Sequence, residues 1–313
     1  MNLPWLDEIQ ASLSQSLGEE RLGHAPMIQG PAGLGKRELA RWLAARILCL
    51  SPTNGQPCGE CRSCQLLNSR SHPDFFLAEI PEDKTQLTVD VVRNFSRGLQ
   101  LTPSIGPHRV GLIEEADQMN KNAANALLKT LEEPSPRSWL ILVSDDPDSL
   151  PATVLSRCQK NVVRPPDTGF TRQWLAGQAP DARSDDIDLA LDMAGSAPLK
   201  ALSLLTGDGL VFGREMREVL LTTAGGQIPD GDVTETWATR ADEAWHWLAY
   251  WCRCFMSKVL VDGHDDLGIA PGDLARLGQQ ALEGSALANS SIRADLLLGK
   301  WLLEWSFTAA KQR

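Results

Sequence analysis

The segment GPAGLGKREL, residues 30 to 39, has the G-x-x-x-x-G-K spacing of a phosphate-binding loop. The glycines of such a loop let backbone amides curl around phosphate oxygens, and the lysine, here Lys36, neutralises them. The next residue would normally carry a hydroxyl that ligates Mg²⁺, but Arg37 offers only hydrogen-bond donors and a permanent positive charge. The segment therefore predicts a strand-loop-helix of nucleotide-binding ancestry in which hydrolysis is disfavoured.

Apolar runs around this loop have the lengths of buried strands and amphipathic helices. APMIQ (25 to 29) leads into the loop, and KRELARWLAARIL (36 to 48) has helical spacing. RVGLI (109 to 113) and WLILV (139 to 143) are separated by the helix-like NKNAANALLKTLEE, and NVV (161 to 163) predicts a third buried strand after them. Strands that alternate with helices predict an α/β fold, a parallel sheet with helices on both faces.

Acidic residues follow two of these strands. Glu114 and Glu115 come after RVGLI, where working ATPases place one acid that supports Mg²⁺ and one that polarises water; a solvated acidic loop is the alternative. Asp145 comes after WLILV, where its charge would repel a triphosphate. We therefore predict a degenerate nucleotide site, in which binding of ATP or ADP stays open, built from Gly30, Gly33, Gly35, Lys36, Arg37, Glu114 and Glu115.

Four of the seven cysteines lie close together in CLSPTNGQPCGECRSC, in a C-x8-C-x2-C-x2-C arrangement: Cys49, Cys58, Cys61 and Cys64. Four soft thiolates with two tight steps are typical of a closed, structural Zn²⁺ site, with disulfides or idle thiols as the alternative. His72 is the substitute ligand if Cys49 points away from the cluster.

Composition limits the other possibilities. The 313 residues carry 30 basic and 40 acidic side chains, and the net charge of -10 argues against a surface uniformly suited to nucleic acid. The loop TPSIGPHR (102 to 109), with His108 and Arg109, is a weak candidate for a local DNA contact. No apolar stretch reaches membrane-spanning length, so we expect no membrane partner and a cytoplasmic location.

We predict three domains from changes in the pattern of strand-like and helix-like runs along the chain. Residues 1–165 form the α/β domain, because the prolines of RPPD that follow it cannot continue a ladder. Residues 166–208 read as a small helical lid, and residues 209–313 as a helical bundle. Six of the ten tryptophans lie between 237 and 305; they fill the bundle core or face a partner subunit, and we favour the core.

Several motifs, in order, resemble the AAA+ clamp-loader family and within it the delta-prime subunits of bacterial DNA polymerase III. They are the glycine loop, the four-cysteine insertion after its helix, SHPDF (71 to 75), NALLKTLEEP (125 to 134) and SRC (156 to 158). The resemblance runs the whole length of the chain. In the first domain it rests on these motifs, and in the remainder it rests on the order of the predicted helical domains. NALLKTLEEP followed by SRC is highly specific to clamp loaders, whereas the glycine loop alone would be a weak signal.

The resemblance implies an AAA+ module, a lid and a C-terminal collar domain in a five-subunit ring with delta and gamma/tau subunits. That ring would open the sliding clamp and close it on primed template DNA. Arg157 matches the family's arginine finger, given in trans to a neighbour's γ-phosphate. In the lid, GSAPLKAL (195 to 202) has Pro198 near the place of an arginine sensor, with Lys200 two residues on.

Two alternatives stay open at this point. The chain is a catalytically active AAA+ motor subunit if Mg²⁺ is held without the loop hydroxyl. It is a zinc-dependent DNA-binding protein with a relic loop if it binds DNA alone, and Arg157 would then be dispensable.

Overall fold

The computed structural model describes residues 2–81, 84–227, 232–263, 267–287 and 292–310. They form two compact units. The first contains the residues up to Thr171 together with Ser196–Lys200, and the second contains Arg172–Gly195 and the residues from Ala201 onward. The separate lid at 166–208 and bundle at 209–313 stay a prediction.

The first unit is built on a five-stranded parallel sheet with the order β2-β3-β4-β1-β5. Its strands are β1 (Pro26–Gln29), β2 (Phe75–Ala78), β3 (Arg109–Ile113), β4 (Ser138–Ser144) and β5 (Gln159–Val162). The helices of this unit are α1 (Asp7–Gly18), α2 (Lys36–Leu48), α3 (Arg62–Asn68), α4 (Val89–Leu99), α5 (Lys121–Glu132) and α6 (Ala152–Leu155), with 3-10 turns at Pro4–Leu6, Ala116–Gln118 and Pro147–Ser149.

The predicted α/β fold class is confirmed, because the central strands are buried and every strand pair is parallel. Continuous apolar side chains on β3 and β4 are what a parallel sheet covered on both faces requires. The expectation that NVV forms a buried strand is only half right: β5 forms, and Val163 directly after it is 3% exposed, but the strand itself is not buried. β5 pairs only with β1 at the edge of the sheet, and Val162 is 50% exposed.

Helices α7 (Thr168–Gln178) and α9 (Pro198–Thr206) each contribute to both units. The second unit is helical: its other helices are α8 (Ser184–Met193), α10 (Gly209–Ala224), α11 (Asp232–Ala238), α12 (Ala241–Ser257), α13 (Pro271–Leu287) and α14 (Ala294–Ala310), with a π-helical turn at Lys258–Asp262. None of the helices in the described ranges is long and apolar enough to cross a membrane.

Tryptophans fill the core of the second unit, as the sequence led us to favour. All six between positions 237 and 305 are at least 92% buried: Trp237, Trp245, Trp247, Trp251, Trp301 and Trp305. Three indole N–H groups donate to backbone carbonyls, for example Trp305 to Leu220 at 3.0 Å. Because all six are buried in the core of this unit, these side chains pack the bundle instead of facing outward.

Candidate functional site

The phosphate-binding loop lies at the carboxyl edge of the sheet, between β1 and α2. In a parallel sheet the residues that follow each strand meet at this edge. Glu114 and Glu115 follow β3, and Asp145 follows β4, so the topology brings the predicted acids to the loop. Gly35 caps α2 with a φ of 80°, in the left-handed region that favours glycine.

Lys36, the loop lysine, is already engaged within the chain. Its side chain is only 3% exposed, and its Nζ lies 2.5 Å from both the carbonyl oxygen of Pro31 and Oδ1 of Asp145. A buried ammonium is tolerated only when it is paired and hydrogen-bonded. The sequence led us to expect that Asp145 repels a phosphate. In the structure Asp145 also forms an ion pair with Lys36, the residue that would otherwise bind the phosphate.

The two acids after β3 are paired with arginines of α2. Arg37 Nη2 donates to Glu115 Oε1 at 2.5 Å, and Arg41 binds Glu114 through both of its oxygens, at 2.5 and 2.9 Å. Arg37 thus holds an acid that would serve Mg²⁺ chemistry in a working ATPase. The sequence did not single out Arg41, although its place one helical turn after Arg37 was a signal that a second pair could form.

Neighbouring segments hold the loop from both sides. Trp5 donates its indole N–H to the carbonyl of Leu34 at 2.9 Å. Leu199 donates its backbone N–H to the carbonyl of Gly33 at 3.0 Å, and a Cβ on Gly33 would stand 2.9 Å from Cβ of Lys200. The stretch that carries Pro198 and Lys200 therefore packs directly on the loop within the first unit.

The four predicted cysteine ligands come together. Their sulfurs all lie within 4.8 Å of one another, with Cys49 Sγ 3.6 Å from Cys58 Sγ and 4.0 Å from Cys61 Sγ. Zn–S bonds of about 2.3 Å in a tetrahedron place sulfurs about 3.8 Å apart, whereas a disulfide needs about 2.05 Å. The donor set therefore fits a closed zinc site, and the four thiols are not disulfide-bonded.

Local structure supplies the groups that orient these thiols. Cys49 ends α2, Cys61 precedes α3, and Cys64 lies inside α3. The hydroxyl of Ser51 and backbone N–H groups donate to Cys58 Sγ and lower its pKa to about 6. Such N–H···S contacts support metal-bound thiolates.

His72 is not needed as a substitute ligand, because Cys49 points into the cluster and the histidine is occupied. Its Nδ1 accepts from the backbone N–H of Asp74 at 3.0 Å, so its Nε2–H donates to Ser63 Oγ at 2.9 Å. Ser63 in turn donates to the carbonyl of Leu48 at 2.7 Å, which ties the start of α3 to the end of α2.

Arg109, proposed from the sequence as a DNA contact, is a structural residue, and that expectation is wrong. It is 4% exposed, it pairs with the buried Asp74 at 3.2 Å, and it donates to the carbonyls of Gly98 and Thr102. Asp74 also accepts from the backbone N–H groups of Ser104 and Ile105, in the loop between α4 and β3. Asp74, the acid of SHPDF, and Arg109 therefore hold the loop between α4 and β3 from its buried side.

A cationic groove that the sequence analysis missed lies between α4 and α5. It has a volume of about 620 Å³ and is lined by Arg93, Arg97 and Lys129 together with amide side chains such as Asn122 and Asn125. The basic residues are spread through two segments of mixed charge, so no basic run marks the groove in the sequence. Helix pairing between α4 and α5 brings them together.

Arg157 lies at the amino-terminal end of the parallel strands, whereas the loop lies at their carboxyl end. It precedes β5, whose Gln159 pairs with Pro26 at the start of β1, whereas the loop follows the end of β1. Four paired residues separate the two edges, about 13 Å along the strands. Arg157 is 36% exposed, its Nη2 lies 2.6 Å from Glu132 Oε1, and its Nη1 donates to the carbonyl of Thr153 at 2.9 Å.

The fold and the loop together define a P-loop module of the AAA+ type. Residues 5–167 match the protein family described as "DNA polymerase III, delta subunit". DNA polymerase III subunit delta' of Pseudomonas aeruginosa is 35% identical over 300 residues, which cover 94% of this chain and 89% of that protein. The Escherichia coli subunit delta' is 33% identical over 250 residues, 79% of this chain and 73% of that protein. The chain therefore belongs to the family of DNA polymerase III delta' subunits.

The fold has a further relative among solved structures. A DNA polymerase III gamma subunit-related protein from Thermotoga maritima superposes with a TM-score of 0.54 at 14% identity, covering 96% of this chain and 99% of that one. At this identity the likeness concerns the fold alone, and it extends over both units.

Proposed function

We propose that this chain is a clamp-loader subunit that does not hydrolyse nucleotide itself and completes the ATPase site of a neighbouring subunit with Arg157. One observation carries the proposal. The charged side chains of the chain's own site form ion pairs with each other, while Arg157 lies at the opposite end of the strands. Lys36, Arg37 and Arg41 are each bound to an acid of the same edge. An arginine about 13 Å from its own loop along the strands does not reach that loop, since the side chain is shorter than the gap, and it is thus available to a site on another molecule.

The chemistry assigned to Arg157 is stabilisation of charge in the transition state. Its guanidinium is planar and always protonated, and it would meet the γ-phosphate held by the adjacent subunit. Glu132 and the carbonyl of Thr153 hold the side chain in the isolated chain. On assembly the finger exchanges Glu132 for phosphate oxygens, which carry more charge.

The partners follow from the family. We propose assembly with delta and gamma/tau subunits in a five-subunit ring in the cytoplasm, with the sliding clamp reached through that assembly. In this account the four cysteines hold one structural Zn²⁺, and no nucleotide is hydrolysed at residues 30 to 36. The AAA+ motor alternative is disfavoured by the paired acids, and the zinc-dependent DNA-binding alternative by the match to delta' subunits over most of the chain.

The test is the ATPase rate of the reconstituted loader with clamp and primed DNA, comparing the wild-type chain with Arg157→Ala. We expect hydrolysis at the adjoining site to fall by about 10³-fold or more, since in-trans fingers contribute that much, and the total rate to fall by that site's share. Arg21→Ala is the matched control, because Arg21 is an exposed arginine in the same unit, paired with Glu19. An Arg157→Ala loader that assembles normally and turns over at the wild-type rate would refute the proposal.

We also propose that primed DNA meets this chain at the groove between α4 and α5. Its cations can contact backbone phosphates while its amides add hydrogen bonds, a pattern that positions DNA without reading sequence. Changing Lys129 to Ala should weaken DNA binding by the loader equally for different sequences and reduce the slope of log K against log salt by about one. Lys160→Ala, on the edge strand β5, is the control. An unchanged salt slope for Lys129→Ala would place the DNA contact elsewhere.

A further inference from the structure

The ion pair between Lys36 and Asp145 differs from the other two pairs at this edge of the sheet. Arg37 and Arg41 have side chains at least half exposed, and water can solvate them if their acids move away. Lys36 is 3% exposed, so its ammonium depends on a fixed negative partner. That partner is a carboxylate of the same chain, on a residue whose backbone N–H is itself bound to Asp117 Oδ1 at 3.2 Å.

The backbone of the loop has two features that a phosphate-binding loop requires. Gly33 and Gly35 both have a φ of 80°, and α2 begins at Lys36 with its positive end toward the loop. The acids Glu114 and Glu115 are neutralised by their arginines. Asp145 is therefore the acid that loses its cation when a phosphate takes Lys36.

We propose that Asp145 acts as an internal substitute for phosphate and closes the loop against nucleoside di- and triphosphates. The inference rests on the proposed function, because it assigns a cause to the inactivity of the chain's own site. Asp145 competes with a nucleotide from within the molecule, at an effective concentration that the fold sets and that does not fall when the protein is diluted. A nucleotide that displaces it leaves the carboxylate beside the phosphates, where like charges repel.

Removal of this single charge is then sufficient to open the site. In Asp145→Asn the amide keeps the size of the side chain and leaves the Lys36 ammonium without its counter-charge. The unliganded variant should unfold at a lower temperature than the wild type, and a phosphate should restore what was lost. The ligand needs no Mg²⁺ for this step, since binding depends on Lys36 and the loop amides.

The experiment is calorimetric titration of the purified full chain with ADP in the absence of Mg²⁺, together with thermal unfolding with and without ADP. We expect Asp145→Asn to bind ADP at least about 100-fold more tightly than the wild type, the change that loss of one close like-charge repulsion allows. ADP should raise the unfolding temperature of the variant and not of the wild type. Asp146→Asn removes the same charge one residue later; both carboxylates are exposed, but it is Asp145 that pairs with Lys36, so Asp146→Asn should change neither readout.

A second variant keeps the outcome interpretable. Lys36→Met added to Asp145→Asn should abolish ADP binding, since the lysine is the group that was freed. The inference is overturned if the wild type binds ADP as tightly as Asp145→Asn, or if a folded Asp145→Asn chain does not bind it. That failure is separate from the proposed function, which stands or falls with the effect of Arg157→Ala on the loader.

Discussion

The phosphate-binding loop and the four-cysteine cluster both arise from short motifs around α2, but their side chains are arranged in opposite ways. At the loop, each charged group faces a group of opposite charge: Lys36 meets Asp145, and Arg37 meets Glu115. In the cluster, four like donors face one another within 4.8 Å. A set of opposite charges is complete without a ligand, whereas four convergent thiolates are stable together only around a cation. In the proposed account, the comparison therefore separates a loop that works without its ligand from a cysteine cluster whose donor set fits a metal ion.

The largest expected effect that would sharpen this comparison is loss of metal from the cluster. Cys61→Ala removes one of four ligands, and a three-thiolate set binds structural zinc far less tightly. We expect zinc content, measured by plasma emission spectroscopy on purified protein, to fall from about one ion per chain to near zero, with a lower unfolding temperature.

The matched control is Cys254→Ala, a half-buried thiol of α12 that lies outside the cluster and should leave the zinc content unchanged. A wild-type chain that carries no zinc would break the comparison, since both motifs would then lack a ligand.

A smaller effect, on stability alone, is expected at the loop. A Cβ on Gly30 would stand 2.3 Å from the carbonyl oxygen of Val163, and Gly30 has a φ of 148°. Gly30→Ala should therefore lower the free energy of unfolding by about 2–4 kcal/mol, measured by urea denaturation. Gly18→Ala, where nothing lies within 4 Å, is the control and should be neutral or stabilising.

If Gly30→Ala is as stable as the wild type, packing does not explain why the glycine is present, and a phosphate ligand becomes the better reason. The loop glycines serve the fold in our account, whether or not a nucleotide binds.

The sequence predicted four of the five strands of the first unit and its helices α2 and α5, because their signals are local; β2, α1, α3, α4 and α6 were not predicted. The G-x-x-x-x-G-K spacing, the buried runs of β3 and β4 and the cysteine spacing each lie within a few residues, and the structure confirms the strands, α2 and the convergence of the thiols. The division into three domains rests only on the pattern of strand-like and helix-like runs, and it stays a prediction.

Features that depend on distant pairing were missed. The exposure of β5 follows from its place at the edge of the sheet, which a run of three apolar residues does not reveal. The burial of Arg109, the first residue of β3, follows from its pairing with Asp74, 35 positions away in sequence, whereas a basic side chain is exposed by default. The pair between Lys36 and Asp145 likewise joins residues that only the parallel sheet brings together.

The central claim is that the chain's own loop contributes nothing to turnover. It is tested most directly by the steady-state ATPase rate of a reconstituted loader that carries Lys36→Met, with clamp and primed DNA present and assembly verified by size-exclusion chromatography. Methionine keeps much of the volume of the buried side chain and removes its charge. The account predicts the wild-type rate, because Lys36 is bound to Asp145 and meets no nucleotide. A fully assembled loader whose rate falls with Lys36→Met would contradict the account and make GPAGLGKREL a working site.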